Sequence, residues 1–151
     1  MKENTIVSLA DSNYFELLNE LVDSIQIFDK SKSIAICILD AGLTIEQKKI
    51  LSTKVDEIKN AEWDIEVPGF KVRGKEWLKS QVSRAFLPKY FPKYKKYLWI
   101  DCDAWVQEWS SIELYFKACE DGKLGITQTI APGYRIMSKV KWLFGKIALV
   151  K

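Results

Sequence analysis

The stretch Tyr97-Leu98-Trp99-Ile100-Asp101-Cys102-Asp103 carries the clearest chemistry in this chain. An apolar run ends in two aspartates one residue apart. The run reads as a buried strand of a parallel sheet. If the backbone stays extended through Asp101 and Asp103, residues i and i+2 project to the same side and their carboxylates converge. The carboxyl end of a strand is also where open α/β sheets take ligands. Like charges at close range repel, so one carboxylate must protonate or a cation must sit between them. A donor set made only of oxygens favours Mg²⁺ or Mn²⁺. An Asp-x-Asp holding a divalent ion is what an enzyme handling a diphosphate needs. Taken alone, the same tripeptide is more often a solvated turn. Cys102 alternates to the opposite face and reads as packing.

The elements that must position this pair follow from periodicity. Thr5 to Ala10 is a short apolar strand, and Asp11-Ser12-Asn13 is a turn with helix-capping chemistry. Phe15, Leu18, Leu21, Val22, Ile25 and Phe28 then recur at helical spacing. Ser33 to Leu39 predicts a second buried strand, closed by Asp40-Ala41-Gly42. Thr44 and Gln47 form a capping box for a helix with Ile45, Ile50, Leu51, Val55 and Ile58 on its buried side. Trp63 to Val67 alternates and predicts a third strand, ended by Pro68-Gly69. Lys71 to Lys75 reads as a loop, and Trp77 to Tyr90 as a helix that Pro88 kinks or ends. Ser110 or Ser111 caps a helix running through Cys119. Lys123 to Thr129 predicts a further strand, and Tyr134 to Lys151 an apolar, basic helix. Strands alternating with helices imply βαβ units and a mostly parallel, three-layer sheet in one domain spanning residues 1–151.

Composition removes several classes. Hydrophobic residues make up 48% of the chain, enough to bury a sizeable core. No run of about 18 apolar residues is present, so no transmembrane helix is expected. The N-terminus lacks the apolar core of a signal peptide. Cys37, Cys102 and Cys119 have no zinc-like spacing and read as free thiols in a reducing compartment. The chain has no histidine, which excludes Ser-His-Asp and Cys-His catalysis and any His-bearing metal site. Between Lys71 and Lys96 the basic residues crowd together, with Glu76 the only acid. That segment suits a phosphate ligand, an anionic membrane surface or nucleic acid; a solvated helix face is the commoner outcome.

The order of motifs resembles the N-terminal half of GT-A-fold glycosyltransferases of the family 8 type, which use nucleotide-diphospho-sugar donors. Ala10-Asp11-Ser12-Asn13-Tyr14 after the first strand is similar to the family's Ala-Asp-x-Asn-Tyr. Leu39-Asp40-Ala41-Gly42-Leu43-Thr44 resembles its element after strand two. Arg84 falls at the spacing of its helical arginine, and Asp101-Cys102-Asp103-Ala104-Trp105-Val106 matches its Asp-x-Asp. The resemblance implies a three-layer α/β/α Rossmann-like domain that binds a UDP-sugar. Leu9, Ala10 and Asp11 would hold the uracil, and Asn13 and Tyr14 would contact base and ribose, with Cys102 in the same nucleotide-contacting set. Arg84 would reach the diphosphate or donor sugar. Asp101 and Asp103 would bind Mn²⁺ or Mg²⁺ and, with Arg84, form the catalytic set. Read without the resemblance, Asp11 and Asn13 are equally well helix caps, Tyr14 a core residue and Arg84 a surface residue.

The chain also departs from the family. The family's C-terminal half supplies the acceptor site and a third metal ligand, a histidine in a His-x-x-Gly-x-Lys motif, and this chain has no histidine. The expected protein is therefore C-terminally truncated, without the acceptor-binding half. It is either a hexosyltransferase from UDP-hexose to a glycan or lipid-linked saccharide, or a catalytically impaired UDP-sugar-binding module or fragment of a longer transferase. Trp142, Leu143, Phe144, Ile147, Leu149 and Val150 form an apolar patch suited to self-association, to a membrane surface or to the chain's own sheet. The expected location is cytoplasmic, free or peripheral at the inner face of a membrane, and no nucleic-acid partner is expected.

Overall fold

A computed structural model of the protein describes residues 2–126. Strand β1 (Asn4–Ala10) is buried from Thr5 onward, and β2 (Ala35–Asp40) is buried throughout. Both are near-continuous apolar runs because both of their faces are covered. Between them, α1 (Phe15–Gln26) makes the crossover that a parallel pair requires. Helix α2 (Ile45–Ser52) makes the next one, into β3 (Glu57–Asn60). The chain then passes through α3 (Gly69–Val72), α4 (Lys79–Ser83) and α5 (Leu87–Tyr90) before β4 (Lys96–Trp99), and α6 (Trp109–Ala118) follows. The sheet order is β3-β2-β1-β4, with every pair parallel. The winding direction therefore reverses at β1. The crevice at the carboxyl ends of β1 and β4 is the switch point at which such sheets bind ligands.

Side-chain alternation along β1 divides the core in two. Ile6 and Ala10 join Ile36 and Ile38 against Leu18, Leu21 and Val22 of α1 and Ile112 and Phe116 of α6. Val7 and Leu9 join Cys37 and Leu39 against Leu87, Tyr90, Phe91 and Tyr94 on the opposite face. The three-layer α/β/α arrangement follows, with a second face built from short helices. The expected stripe on α1 is buried at Phe15, Leu18, Leu21, Val22 and Ile25. The capping box is present: Gln47 N donates to Thr44 Oγ1 at 3.2 Å, and Thr44 N to Gln47 Oε1 at 2.9 Å.

Several boundaries differ from expectation. The third strand is Glu57–Asn60, not Trp63 to Val67. Helix α2 stops at Ser52, so Val55 lies beyond it and Ile58 enters β3. An edge strand needs backbone pairing on one side only, so Glu57, Lys59 and Asn60 leave little apolar signal. The start of the 63–67 segment is held by a side chain instead. The Tyr90 hydroxyl accepts from Glu62 N at 3.0 Å and donates to Asp64 Oδ2 at 2.7 Å. The expected helix over Trp77 to Tyr90 is split into a 3₁₀ turn (Glu76–Leu78), α4 and α5. The i→i+3 bonds Ala85 N–Val82 O and Phe86 N–Ser83 O end the first piece. Pro88, which lacks an N–H, sits in the first turn of the second.

A single turn of helix, α3, also enters the expected 71–75 loop. Helix α6 begins after Glu108 with no side-chain cap. Ser111 Oγ bonds back to Glu108 O at 2.7 Å rather than capping the helix. Strand β4 is half-buried rather than buried, because β1 is its one neighbour among the described residues. Residues 123–126 form no strand. The remainder of the predicted strand through Thr129, and the predicted helix over Tyr134 to Lys151, lie outside the described residues.

The turn after β2 is organised by buried Asp40. Its Oδ1 accepts from Gly42 N at 2.7 Å and Leu43 N at 2.6 Å, and Lys48 Nζ lies 2.9 Å from Oδ2. Gly42 has φ +133°, a conformation that side chains disfavour. Burial works to raise the Asp40 pKa, but the two amides and Lys48 outweigh it and hold the carboxyl below its ordinary 3.8. A depressed folded-state pKa stabilises the fold above the unfolded value, and that contribution is lost as pH falls through the folded value. Asp40→Asn should lower the unfolding free energy at pH 7 by about 1–3 kcal/mol in urea titrations. It should also flatten the acid-side loss of stability that the parent shows below pH about 4.

Candidate functional site

Two chain segments build the site, one from the end of β1 and one from the end of β4. At the first, Asp11 takes an extended conformation, and its Oδ1 accepts from Asn13 N at 2.9 Å and Tyr14 N at 3.3 Å. The carboxylate thus caps the 3₁₀ turn Ser12–Tyr14 that leads into α1. Of the readings open for Asp11, capping is the one directly seen. The same bonds turn Tyr14 outward, where it is 45% exposed, so it is not a core residue of α1. The turn after β2 braces this loop: Ser12 N donates to Gly42 O at 3.1 Å, and Gln47 Nε2 to Ser12 O at 3.1 Å.

At the second segment, β-type pairing persists one residue past β4, where Ile100 N donates to Val7 O at 3.0 Å. Trp99 and Asp101 therefore share a face, and Trp99 Nε1 donates to Asp101 Oδ1 at 2.7 Å. The chain then turns, with Ala104 N bonded to Asp101 O at 3.0 Å. The extended geometry expected through Asp103 is thus replaced by a turn. Asp101 and Asp103 are brought to one cavity by that turn, not by strand alternation. Both are exposed.

Cys102 packs against the α1/α6 face of the core but, because the chain turns here, also lines the cavity with both aspartates rather than lying wholly on the opposite face. Burial first, and then the charge of Asp103, push its thiol up to about 11, with smaller contributions from Asp101 and Asp11. At neutral pH it is a protonated, weakly polar wall, not an anionic ligand.

Arg84 follows α4. Its Nε donates to Ser80 O at 3.0 Å, and its Nη2 reaches Asp101 Oδ1 at 3.3 Å. Its guanidinium carbon lies 5.1 Å from the centre of the Trp99 ring. It is a surface residue tied to the first aspartate.

The cavity between the two segments has a volume of about 200 Å³. Leu9, Ala10, Asp11 and Tyr14 line it from β1, and Asp101, Cys102 and Asp103 from β4. Arg84 lines an adjoining cleft of about 1250 Å³ that runs along β4 and shares Asp101 and Asp103 with the cavity. Asn13 is exposed and lines neither. Sequence reasoning missed Trp77, Ser80 and Gln81, which also line the cavity. A signal for them was present. Trp77, Ser80, Gln81 and Arg84 fall at i, i+3, i+4 and i+7, one face of a helix. Among the described residues no group of three His, Cys, Asp or Glu side chains is placed to hold a metal.

Residues 5–124 match the family described as glycosyl transferase family 8. The chain belongs to that family. It has the fold of two solved structures of LgtC, an active-site mutant and the galactosyltransferase in complex with donor and acceptor sugar analogs. Each aligns with a TM-score of 0.53, at 20% and 19% sequence identity respectively. In both cases the alignment covers 72% of this chain and 41% of the LgtC chain, so this family 8 chain spans about two fifths of the length of those structures. No curated protein matches the sequence.

Because Asp11 caps the turn as well as facing the cavity, its replacement has a structural cost that can be measured without a ligand. Asp11→Ala should destabilise the protein by about 1 kcal/mol in urea unfolding, while Asp11→Asn, which keeps an acceptor oxygen, should lose much less.

Proposed function

We propose that this family 8 chain is the nucleotide-sugar-binding part of a glycosyltransferase that moves a hexosyl group from a UDP-sugar to a glycan or lipid-linked saccharide. The observation that carries the reading is convergence. Leu9, Ala10, Asp11 and Tyr14 meet Asp101, Cys102 and Asp103 on one cavity at the switch point of the sheet. Exposed Tyr14 offers a face for a base, and Asp11 retains a second carboxylate oxygen for an imide N–H. Asn13, next to Tyr14, would reach the ribose only from the rim. Arg84 provides a permanent cation within reach of a diphosphate that occupies the cleft beside Asp101.

The donor set suits Mn²⁺ or Mg²⁺. Asp101 and Asp103 are two hard oxygen ligands on one cavity, and such ions are commonly held by one or two carboxylates plus substrate phosphate oxygens. When bound, the ion would offset the charge that builds on the leaving UDP. The residues of this chain would bind the nucleotide, orient its diphosphate toward Asp101 and Asp103, and counter its charge with Arg84. In the transfer, the bond from the anomeric carbon to UDP breaks, and a bond from the acceptor hydroxyl oxygen forms as its proton leaves. LgtC has been solved with donor and acceptor analogs, which supports both partner classes for this chain.

No helix among the described residues is long and apolar enough to cross a membrane. A cytoplasmic protein acting at or near a membrane surface fits a lipid-linked acceptor. The predicted self-association or membrane contact through the 134–151 segment lies outside the described residues. Much of the basic segment is already paired: Lys79 with Glu76, Lys89 with Glu62 and Asp64, Lys93 with Glu57, and Lys95 with Glu3. That pairing weakens any field for a polyanion.

A second reading, a UDP-sugar-binding module that transfers nothing, is favoured by one observation. Among the described residues no third His, Cys, Asp or Glu side chain is grouped with Asp101 and Asp103, the two carboxylates this reading assigns to the ion. Calorimetric titration of UDP with and without Mn²⁺ tests the shared core of both readings. Mn²⁺ should strengthen binding, and Asp101→Asn with Asp103→Asn should abolish that gain, a loss of roughly tenfold or more. Metal-independent or absent UDP binding would sink both. Release of free sugar from a UDP-hexose only when Mn²⁺ is present would exclude the binding-only module.

A further inference from the structure

Trp99 makes polar contacts as well as packing against the core. Its indole Nε1 donates to Asp101 Oδ1 at 2.7 Å, and its ring carries the Arg84 guanidinium 5.1 Å from the ring centre. Arg84 Nη2 reaches the same Asp101 oxygen at 3.3 Å, while Arg84 Nε is tethered to Ser80 O at 3.0 Å. The three side chains close a triangle in which each touches the other two. Both donors fall on Oδ1. The Asp101 side chain is 59% exposed, so without a partner its carboxylate would sample several rotamers.

We propose that Trp99 is the positioning residue of Asp101: its indole N–H holds Oδ1 and turns Oδ2 toward a divalent cation, while its ring stations Arg84 beside the same site. The inference rests on reading Asp101 as a metal ligand. Two physical points support it. A hydrogen bond to a carboxylate is stronger than one between neutral groups, and it fixes a direction that packing alone does not. The two donors also have different futures when a diphosphate arrives. Arg84 is held by a long, flexible side chain and can turn to the incoming anion, and loss of its 3.3 Å contact would free Asp101 if nothing else held it. Trp99 lies in the paired part of β4, opposite Val7, and stays where it is. The first ligand therefore remains oriented while the cation of the triangle changes partners.

Trp99→Phe removes the N–H and keeps a ring for Arg84 and for the core. Trp99 is one of six tryptophans, so its indole resonance in a ¹H–¹⁵N spectrum is the one this variant lacks. Asp101→Asn should shift that resonance in the metal-free parent. Mn²⁺ binding in the presence of UDP, followed by the loss of the free-ion paramagnetic signal, should weaken roughly tenfold in Trp99→Phe, the usual effect of removing a group that orients a metal ligand. Its urea midpoint should stay close to the parent's. An indole resonance that ignores Asp101→Asn overturns the proposal whatever the metal does. A resonance that responds, with unchanged Mn²⁺ affinity in Trp99→Phe, also overturns it. A parent that takes up no Mn²⁺ while the resonance responds overturns the metal-site reading, and the positioning role with it, but leaves the bond intact.

Discussion

β1 has a parallel neighbour on each edge, β2 from Thr5 to Ala10 and β4 from Asn4 to Val7, and the site depends on this double pairing. A strand bonded on both sides cannot shift register without breaking two ladders, and a one-residue slip would exchange its two core faces. Ile6 and Ala10 would leave the α1/α6 layer, and Val7 and Leu9 would enter it. The register thus fixes where β1 ends relative to β4. Ala10 stands beside Asp40 on one side, and Ile100 remains tied to Val7 on the other. Asp11 and Asp101 emerge side by side from these ends. A helix crossover on each flank leaves the crevice between them open.

Much of this was legible in the sequence, for reasons that differ by element. β1, β2 and α1 carry strong patterns because both faces of the strands and one face of the helix are buried. The Thr44–Gln47 box is a purely local signal and needs no tertiary context. β3 was illegible because its stability comes from the backbone of β2 and from Asp56, whose Oδ2 accepts from Ile36 N at 2.9 Å. Trp63 to Val67 alternates without pairing, and Tyr90 and Lys89, distant in sequence, hold Asp64 and the preceding Glu62 by side-chain contacts. No window of the sequence contains that information.

The site shows the same division. Asp11, Tyr14, Asp101 and Asp103 could be singled out because their types and order are unusual at strand ends, and all four line the cavity. Asn13 fits the same pattern, yet the cap that orients Tyr14 leaves Asn13 outside. Trp77, Ser80 and Gln81 share one helical face with Arg84, but that spacing reads equally as an ordinary helix surface until the fold places it. They matter only once α4 is laid over the switch point. The broken helix between Glu76 and Tyr90 is what allows this. A continuous helix would carry one straight face across the sheet, whereas the break lets α4 face the crevice and α5 cover the core.

Two carboxylates cannot by themselves give a divalent ion the coordination it prefers. The missing positions must be filled by water or by the anion that the ion accompanies. On the proposed reading, cation and nucleotide would be mutually dependent at this site, since each would supply what the other lacks. By linkage, whatever factor the ion adds to nucleotide affinity the nucleotide adds to ion affinity. Arg84 fits the same logic. Its guanidinium, 3.3 Å from Asp101 Oδ1, neutralises part of the charge that Asp101 and Asp103 place at the cavity mouth. On the proposed reading, a diphosphate with its cation would bring its own compensation and free the guanidinium for the phosphate. Trp99 Nε1 and Arg84 Nη2 both reach Asp101 Oδ1, so the direction of this carboxylate is set by the chain's own residues.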